Sequence, residues 1–374
     1  MEQVYGFDEL TMPLWIKILY WGFYMVVFVF AVRKLLLVAP KDKREVDVDV
    51  WIVLYFTLYA MFYCVNPDYF SYRDWLKVPN FSYWNREQVY AYLILFGRFL
   101  DIDYQYELFR LIVWGGGLLL VWLTAKLYNG LPMPGLVMTF LFVLFSGTFC
   151  YGRVSLGMAV FFMGVTIMMM NKPNLVRFLG FVLVLSSYFF HHQMIIGIGM
   201  LPGMILHLEK KKNLVFAMIL LGMMIAVISY INSNISLMEE VFGADELAEK
   251  METYNERGSG TFRLSTFVAY INIFLPFVFT AIFFFNHKRK KLPRPIVGIF
   301  RITFLLLLAT MAFFVVSGPR STYTYRVLYL NIVPVSILVS YCYNEGYFKD
   351  YQLALMFLMA LVTNSLRLIS SVQQ

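Results

Sequence analysis

Charge is scarce in this chain. Of its 374 residues, only 14% are Asp, Glu, Lys or Arg, where a soluble domain averages about 25%. That deficit, with 60% hydrophobic residues, excludes an ordinary soluble globular protein. Cysteine is scarce as well. The three present, Cys64, Cys150 and Cys342, are scattered, with neither a metal-type spacing nor a disulfide framework. The opening stretch MEQVYGFDEL carries acids and no basic n-region, so no cleavable signal peptide is expected. Short strands of alternating polarity are missing, which argues against an outer-membrane barrel.

Long apolar runs are what the chain has instead, and about 20 such residues cross a bilayer as a helix. They fall near 14–38, 48–65, 104–125, 134–150, 154–170, 175–190, 194–208, 213–232, 265–286, 295–316, 324–343 and 351–368. The expected class is thus an all-α polytopic membrane protein with about twelve transmembrane helices. Basic residues follow the odd-numbered runs: Arg33, Lys34, Lys41, Lys43 and Arg44; Lys126; Lys172 and Arg177; Lys210, Lys211 and Lys212; Lys288 to Lys291 and Arg294; Lys349. The positive-inside rule makes those loops cytoplasmic and puts both termini outside. The net charge of +8 is explained by topology, and no nucleic-acid partner is implied.

No internal repeat and no separate soluble domain is visible, so residues 1–374 read as one integral membrane domain. Two longer connections fall outside the cytoplasm in this count. Within 66–103, VYAYLILFGRFL is too short to span and reads as an interfacial or re-entrant helix. Within 233–263, Met238, Val241, Phe242, Leu247 and Met251 have helical spacing ahead of Gly258-Ser259-Gly260. That amphipathic segment reads either as a lid over an external cleft or as a solvated surface helix.

Arg153, His191 and Arg326 each stand at the end of an apolar run, on the side where Lys and Arg are otherwise scarce. Ionisable groups near membrane depth point to a functional site. Arg153 opens a helix, where a cation opposes the macrodipole, so a ligand is a better reason for it than snorkelling. His191 and His192 close a run and read either as a hydrogen-bonding cap or as a functional imidazole. Arg326 lies in YTYRVLYLN with Arg320 a short loop away, and Arg263 lies on the same side. Arginine grips phosphate in a bidentate manner, so these residues suit a pyrophosphate. A carboxylate or imidazole beside them, from Asp68, Glu87 or His191, can take a sugar hydroxyl's proton. Asp68 also reads as a turn residue in Asn-Pro-Asp, and Glu87 as a helix-start acid. Tyr72 and its aromatic neighbours read as sugar-stacking groups or as part of an interfacial belt. Arg110 sits at helical spacing from Glu107 and Asp103 and reads as a structural ion pair.

These residues carry a resemblance to a known family. Asp68-Tyr69-Phe70-Ser71-Tyr72, Glu87-Gln88-Val89-Tyr90, Arg153-Val154-Ser155-Leu156-Gly157, Phe190-His191-His192-Gln193-Met194 and Tyr325-Arg326-Val327-Leu328-Tyr329 resemble, in order, motifs of the EpsG family of bacterial exopolysaccharide proteins. That family is related to Wzy-type, O-antigen-like polymerases. The chain departs from the family pattern at Val154 and Gln193, where Gln and Ser are common, and lacks the Arg and Gly often found before the first Asp.

The resemblance implies a GT-C-like architecture and a glycosyltransferase in the bacterial cytoplasmic membrane, with its active site facing the extracytoplasmic side. Undecaprenyl-pyrophosphate-linked saccharides would be donor and acceptor, with undecaprenyl pyrophosphate released. His191, Asp68 and Glu87 would be catalytic; Arg153, Arg326, Arg320, Arg263, Tyr72 and His192 would bind pyrophosphate and sugar. No cofactor is expected, and with an Arg clamp in place of a divalent cation and no His/Asp cluster of metal spacing, no metal is expected. Membrane lipid, a chain-length regulator and a flippase are the expected partners. A transporter or flippase of lipid-linked saccharide competes with this reading, as does a ligase that moves a finished glycan. Transporters carry internal repeats and broken helices, and neither is evident here. A sugar acyltransferase and a plain scaffold fit less well.

Overall fold

The computed structural model describes residues 14–37, 50–62, 88–99, 105–128, 133–146, 152–210, 213–233, 264–286, 292–318 and 322–370. Among them there are helices and no strands. In chain order the helices are α1 (Leu14–Leu37), α2 (Val50–Phe62), α3 (Gln88–Phe99), α4 (Gln105–Lys126), α5 (Pro134–Phe145), α6 (Gly152–Met169), α7 (Asn174–Phe190), α8 (Met194–Gly199), α9 (Leu214–Ser233), α10 (Leu264–Asn286), α11 (Arg294–Ser317), α12 (Thr322–Tyr329), α13 (Ile332–Asn344) and α14 (Asp350–Ser370), with a 3-10 turn at Leu201–Ile205.

Among the described residues, six stretches are long and apolar enough to cross a membrane: α1, α4, Phe267–Asn286, α11, Thr324–Asn344 and α14. Shorter apolar helices account for the remaining apolar runs. The outward faces of α1, α7 and α9 expose Leu14, Trp15, Phe30, Leu175, Phe178, Val215 and Met218. In water such a surface would be an aggregation site; around a helical bundle it is the face a bilayer covers. This is a multi-pass membrane protein.

Two helices form the axis. Every residue of α5 is buried, as is α13 from Ile332 to Tyr343. The ends of buried helices leave carbonyls without partners, and side chains from other helices supply them. Asn272 donates to Leu144 O at 2.7 Å and Asn364 to Val143 O at 3.2 Å, closing the end of α5. Tyr343 of α13 donates its hydroxyl to Leu35 O near the end of α1. Gln105 donates to Gly97 O (2.7 Å) and Arg98 O (2.9 Å), which ties the short helix α3 to α4. At 12 residues, roughly 18 Å, α3 is too short to span a bilayer, as its sequence suggests.

α6 and α7 cross in close contact. A Cβ placed on Gly164 would lie 2.7 Å from Gly180 O, and one on Gly180 would lie 2.9 Å from Gly164 O. The two backbones therefore touch where neither residue has a side chain, as small residues allow inside membranes.

Two apolar runs differ from their sequence reading, because each is interrupted. The run 194–208 is a six-residue helix, α8, followed by the 3-10 turn. Pro202 has no N–H to continue the α ladder and sits at the start of that turn. The run 324–343 breaks at Leu330 and Asn331, between α12 and α13. Pro334 denies the Leu330 carbonyl its i+4 donor, which is where the ladder stops. The expectation of no broken helices is therefore corrected. The 233–263 lid segment lies, from residue 234 on, outside the described residues.

Candidate functional site

The site is assembled at the turn that begins the first interrupted run and on the short helix α12 of the second. α7 ends as His191 turns to extended geometry (φ −156°, ψ 120°), its N–H still donating to Ser187 O. The next residues curl into a turn closed by Met194 N–H to His191 O at 3.0 Å and Ile195 N–H to His192 O at 3.1 Å. This turn points the Gln193 N–H back at the preceding imidazole, and it donates to His191 Nδ1 at 3.2 Å. The two imidazoles stack, with centroids 4.8 Å apart and planes 21° from parallel. His191 and Gln193 are buried.

Arg326 reaches the same turn from α12. Gly318, at φ 83°, ends α11 in a conformation that side chains disfavour. Thr324 then donates to Gly318 O at 3.0 Å and sets the start of α12. A guanidinium has donors only, so the Gln193 amide turns its oxygen to Arg326. It accepts from Nε at 3.0 Å and from Nη1 at 3.2 Å. The contact orients the guanidinium and, because an amide is neutral, does not cancel its charge.

α6 supplies the floor. A Cβ on Gly157 would come within 3.3 Å of His191 Cβ and 3.4 Å of the Met194 side chain, so the His191 turn rests directly on this glycine. Arg153 stands one turn earlier, in the first turn of α6; its side chain lies outside the described residues. Next to Gly157, Leu156 and Ser155 press against Gly117 of α4, within 3.7 Å of a Cβ placed there. Gly117 is roughly 18 Å along α4 from its Gln105 end at 1.5 Å per residue. The cluster is therefore recessed well below that end of the bundle.

One wall is aromatic. Tyr270 lies 5.8 Å from Tyr325, and Tyr325 stacks on Tyr329 at 6.1 Å. Arg367 of α14 donates to the Tyr329 hydroxyl at 2.6 Å and lies 5.0 Å over that ring.

Of the residues singled out by sequence, the structure brings together His191, His192 and Arg326, with the first turn of α6 beside them. Asp68, Tyr72, Glu87, Arg263 and Arg320 lie outside the described residues. Gln193 and Arg367 were missed as site residues. Arg367 could have been flagged as a basic residue at the end of the last apolar run opposite Lys349. Gln193 appeared only as a departure from a family motif. Arg110 is buried over the rings of Trp114 (4.3 Å) and Tyr106 (5.8 Å), a setting that sequence spacing does not reveal.

At the other end of the bundle, Arg301 of α11 is paired with Glu209, by Nε to Oε2 and Nη2 to Oε1, both at 2.8 Å. It also donates to Met204 O at 2.5 Å and meets His207 Nδ1 at 2.6 Å. This cluster pins the far end of the interrupted run whose near end carries His191. Burial pushes the Glu209 carboxyl up, but the Arg301 hydrogen bonds and charge outweigh it and hold it below the usual range.

The model of the EpsG family matches residues 48–372. The chain belongs to the EpsG family. Its match takes in the interrupted runs and the helices that support them, so the recessed cluster lies within the family's own extent. No curated protein and no solved structure matches the chain.

Proposed function

We propose that this protein is a membrane polysaccharide polymerase. In this reading it joins undecaprenyl-pyrophosphate-linked repeat units on the extracytoplasmic side of the bacterial cytoplasmic membrane. EpsG family membership supports the polymerase class. The observation that carries the chemistry is the recessed pairing of Arg326 with Gln193 beside His191. A guanidinium oriented by a neutral amide suits a leaving pyrophosphate, whose charge grows as the glycosidic bond breaks. Arg153, one turn before Gly157 on α6, is the second cation of the proposed set. The acceptor hydroxyl attacks the donor's anomeric carbon, the pyrophosphate departs with the bonding electrons, and a base among His191, Asp68 and Glu87 takes the proton. Arg263, Arg320, Tyr72 and His192 complete the proposed binding set. The basic loops after alternate apolar runs, read as cytoplasmic, support an outward-facing cluster.

The test is turnover by purified protein of a lipid-linked repeat unit. A ladder of longer lipid-linked products is expected, abolished by Arg153→Ala and Arg326→Ala. A folded wild-type protein that yields no ladder sinks the reading.

A second reading is favoured by the two interrupted runs, since interrupted helices facing one site are a transporter device. It predicts movement of intact lipid-linked saccharide across liposomes without any new glycosidic bond.

A further inference from the structure

A groove with a volume of about 330 Å³ opens between α2 and α4. Ile52, Phe56 and Ala60 of α2 and Met138 of α5 are buried and form its floor. Val53 and Leu119 stand at its rim and are exposed. Among the described residues, Thr57 and the Trp122 indole supply its polar side-chain atoms, and the rest of the lining is apolar. Such a surface at membrane depth offers water or a saccharide almost nothing to bond. A hydrocarbon chain is the occupant it suits.

The glycines of α4 point the same way. Gly115, Gly116 and Gly117 are consecutive in a helix long enough to span the membrane, although glycine is the poorest helix former after proline. Gly117 has a packing reason, since the Leu156 and Ser155 backbone lies within 3.7 Å of a Cβ placed there. Gly115 has none within the protein: a Cβ there meets nothing within 4 Å, and the residue lines the groove. At about 3.6 residues per turn, positions two apart lie on nearly opposite sides of a helix. One face of α4 is therefore pressed by α6, and the other is left open where a side chain would have filled it.

One end of the groove carries a cation. The Lys126 ammonium lies 3.7 Å from the ring centroid of Trp122, one turn beyond the groove. Lys126 is exposed, and among the described residues no carboxylate pairs with it. Its three donors suit a phosphate. From Leu111 to Trp122 the groove covers roughly 16 Å of α4 at about 1.5 Å per residue. That is close to half of a hydrocarbon core about 30 Å thick. The length matches one leaflet, with Lys126 at the level of that leaflet's headgroups.

We propose that the α2–α4 groove is a binding site for an anionic phospholipid, with one acyl chain lying over Gly115 and the phosphate on Lys126. The Lys126 loop reads as cytoplasmic, and the cytoplasmic leaflet carries the acidic lipids. The site goes beyond the polymerase reading and does not rest on it. A chain in the groove fills the face of α4 opposite Gly117, so it braces the helix against which Ser155 and Leu156 of α6 pack.

The test is native mass spectrometry of the full-length protein released from detergent micelles, with phosphatidylglycerol and phosphatidylcholine of identical chains added in equal amounts. One retained phosphatidylglycerol is expected, preferred about fivefold over phosphatidylcholine, which is what a single cation near acidic headgroups supplies. Lys126→Gln should abolish the preference, and Lys126→Arg should keep it. Gly115→Leu puts a side chain into the groove and should lose the lipid, whereas Gly116→Ala should retain it. Equal retention of both lipids by wild type overturns the proposal. So does a preference that survives Lys126→Gln, an exposed position where the fold is not at stake. Retention of the lipid by folded Gly115→Leu protein also overturns it. Two competitors separate the sources of the phosphate. Glycerol phosphate has the charge without a chain and should displace nothing; displacement by it removes the groove from the site. A polyprenyl phosphate should compete no better than phosphatidylglycerol. Its stronger retention assigns the groove to an isoprenoid chain and overturns the phospholipid.

Discussion

Replacing Gly164 with alanine tests the packing that holds the site together. In an isolated helix this change is favourable by about 1 kcal/mol, because glycine is the poorer helix former. Here the new methyl would meet Gly180 O at 2.7 Å and the Val184 backbone nitrogen at 2.8 Å. These are backbone atoms of a packed helix, so no side chain can rotate out of the way. Restoring an ordinary contact near 3.4 Å requires α6 and α7 to part by roughly 0.7 Å, and such overpacking costs about 1–3 kcal/mol. With two backbone clashes the cost should lie in the upper half of that range, giving a net destabilisation of about 1–2 kcal/mol. Gly116 is the control, since a Cβ there meets nothing within 4 Å. Gly116→Ala should be neutral or stabilising by up to about 1 kcal/mol. Equilibrium unfolding in mixed micelles, followed by tryptophan fluorescence, measures both. Turnover should fall with stability at Gly164 alone, because α6 and α7 carry Arg153 and His191. If the two variants are equally stable, the α6–α7 contact is not the constraint described above.

Other positions give independent tests. Gly157→Ala brings a methyl to 3.3 Å from His191 Cβ; the protein should stay folded while turnover drops roughly tenfold, as expected for a displacement of a few tenths of an ångström at a reacting group. Arg326→Lys keeps the charge but cannot present two fixed donors to Gln193, so turnover should fall about 10- to 100-fold, seen as a weaker product ladder. Glu209→Ala strands the Arg301 charge and should destabilise by about 3 kcal/mol in the same unfolding assay. The carboxyl of Glu209 is held below its ordinary value of 4.5. Its stabilisation is therefore complete above that pH and is lost as pH falls through the lowered value. A stability loss confined to the region below about pH 4.5 should accordingly be smaller in Glu209→Ala than in wild type.

The membrane class, the apolar segments and the short helix at 88–99 are legible in the sequence, because each depends on local composition and spacing. A run of apolar residues must satisfy its own backbone in lipid, and helix is the only local answer. The motifs around His191, Arg153 and Arg326 also mark the family without any structure, since a functional side chain announces itself by its type at an unusual depth. Tertiary structure alone decides the rest. Hydropathy reads composition and not hydrogen bonds, so the breaks at Pro202 and before Pro334 pass unseen within apolar runs. The contact of Gln193 with Arg326 joins residues far apart in the chain, and only the folded geometry turns a departure from a family motif into a partner for a functional group. The same holds for Arg301 with Glu209 and for Gly164 against Gly180, where the two members of each pair stand on different elements and their packing, not their local sequence, brings them together.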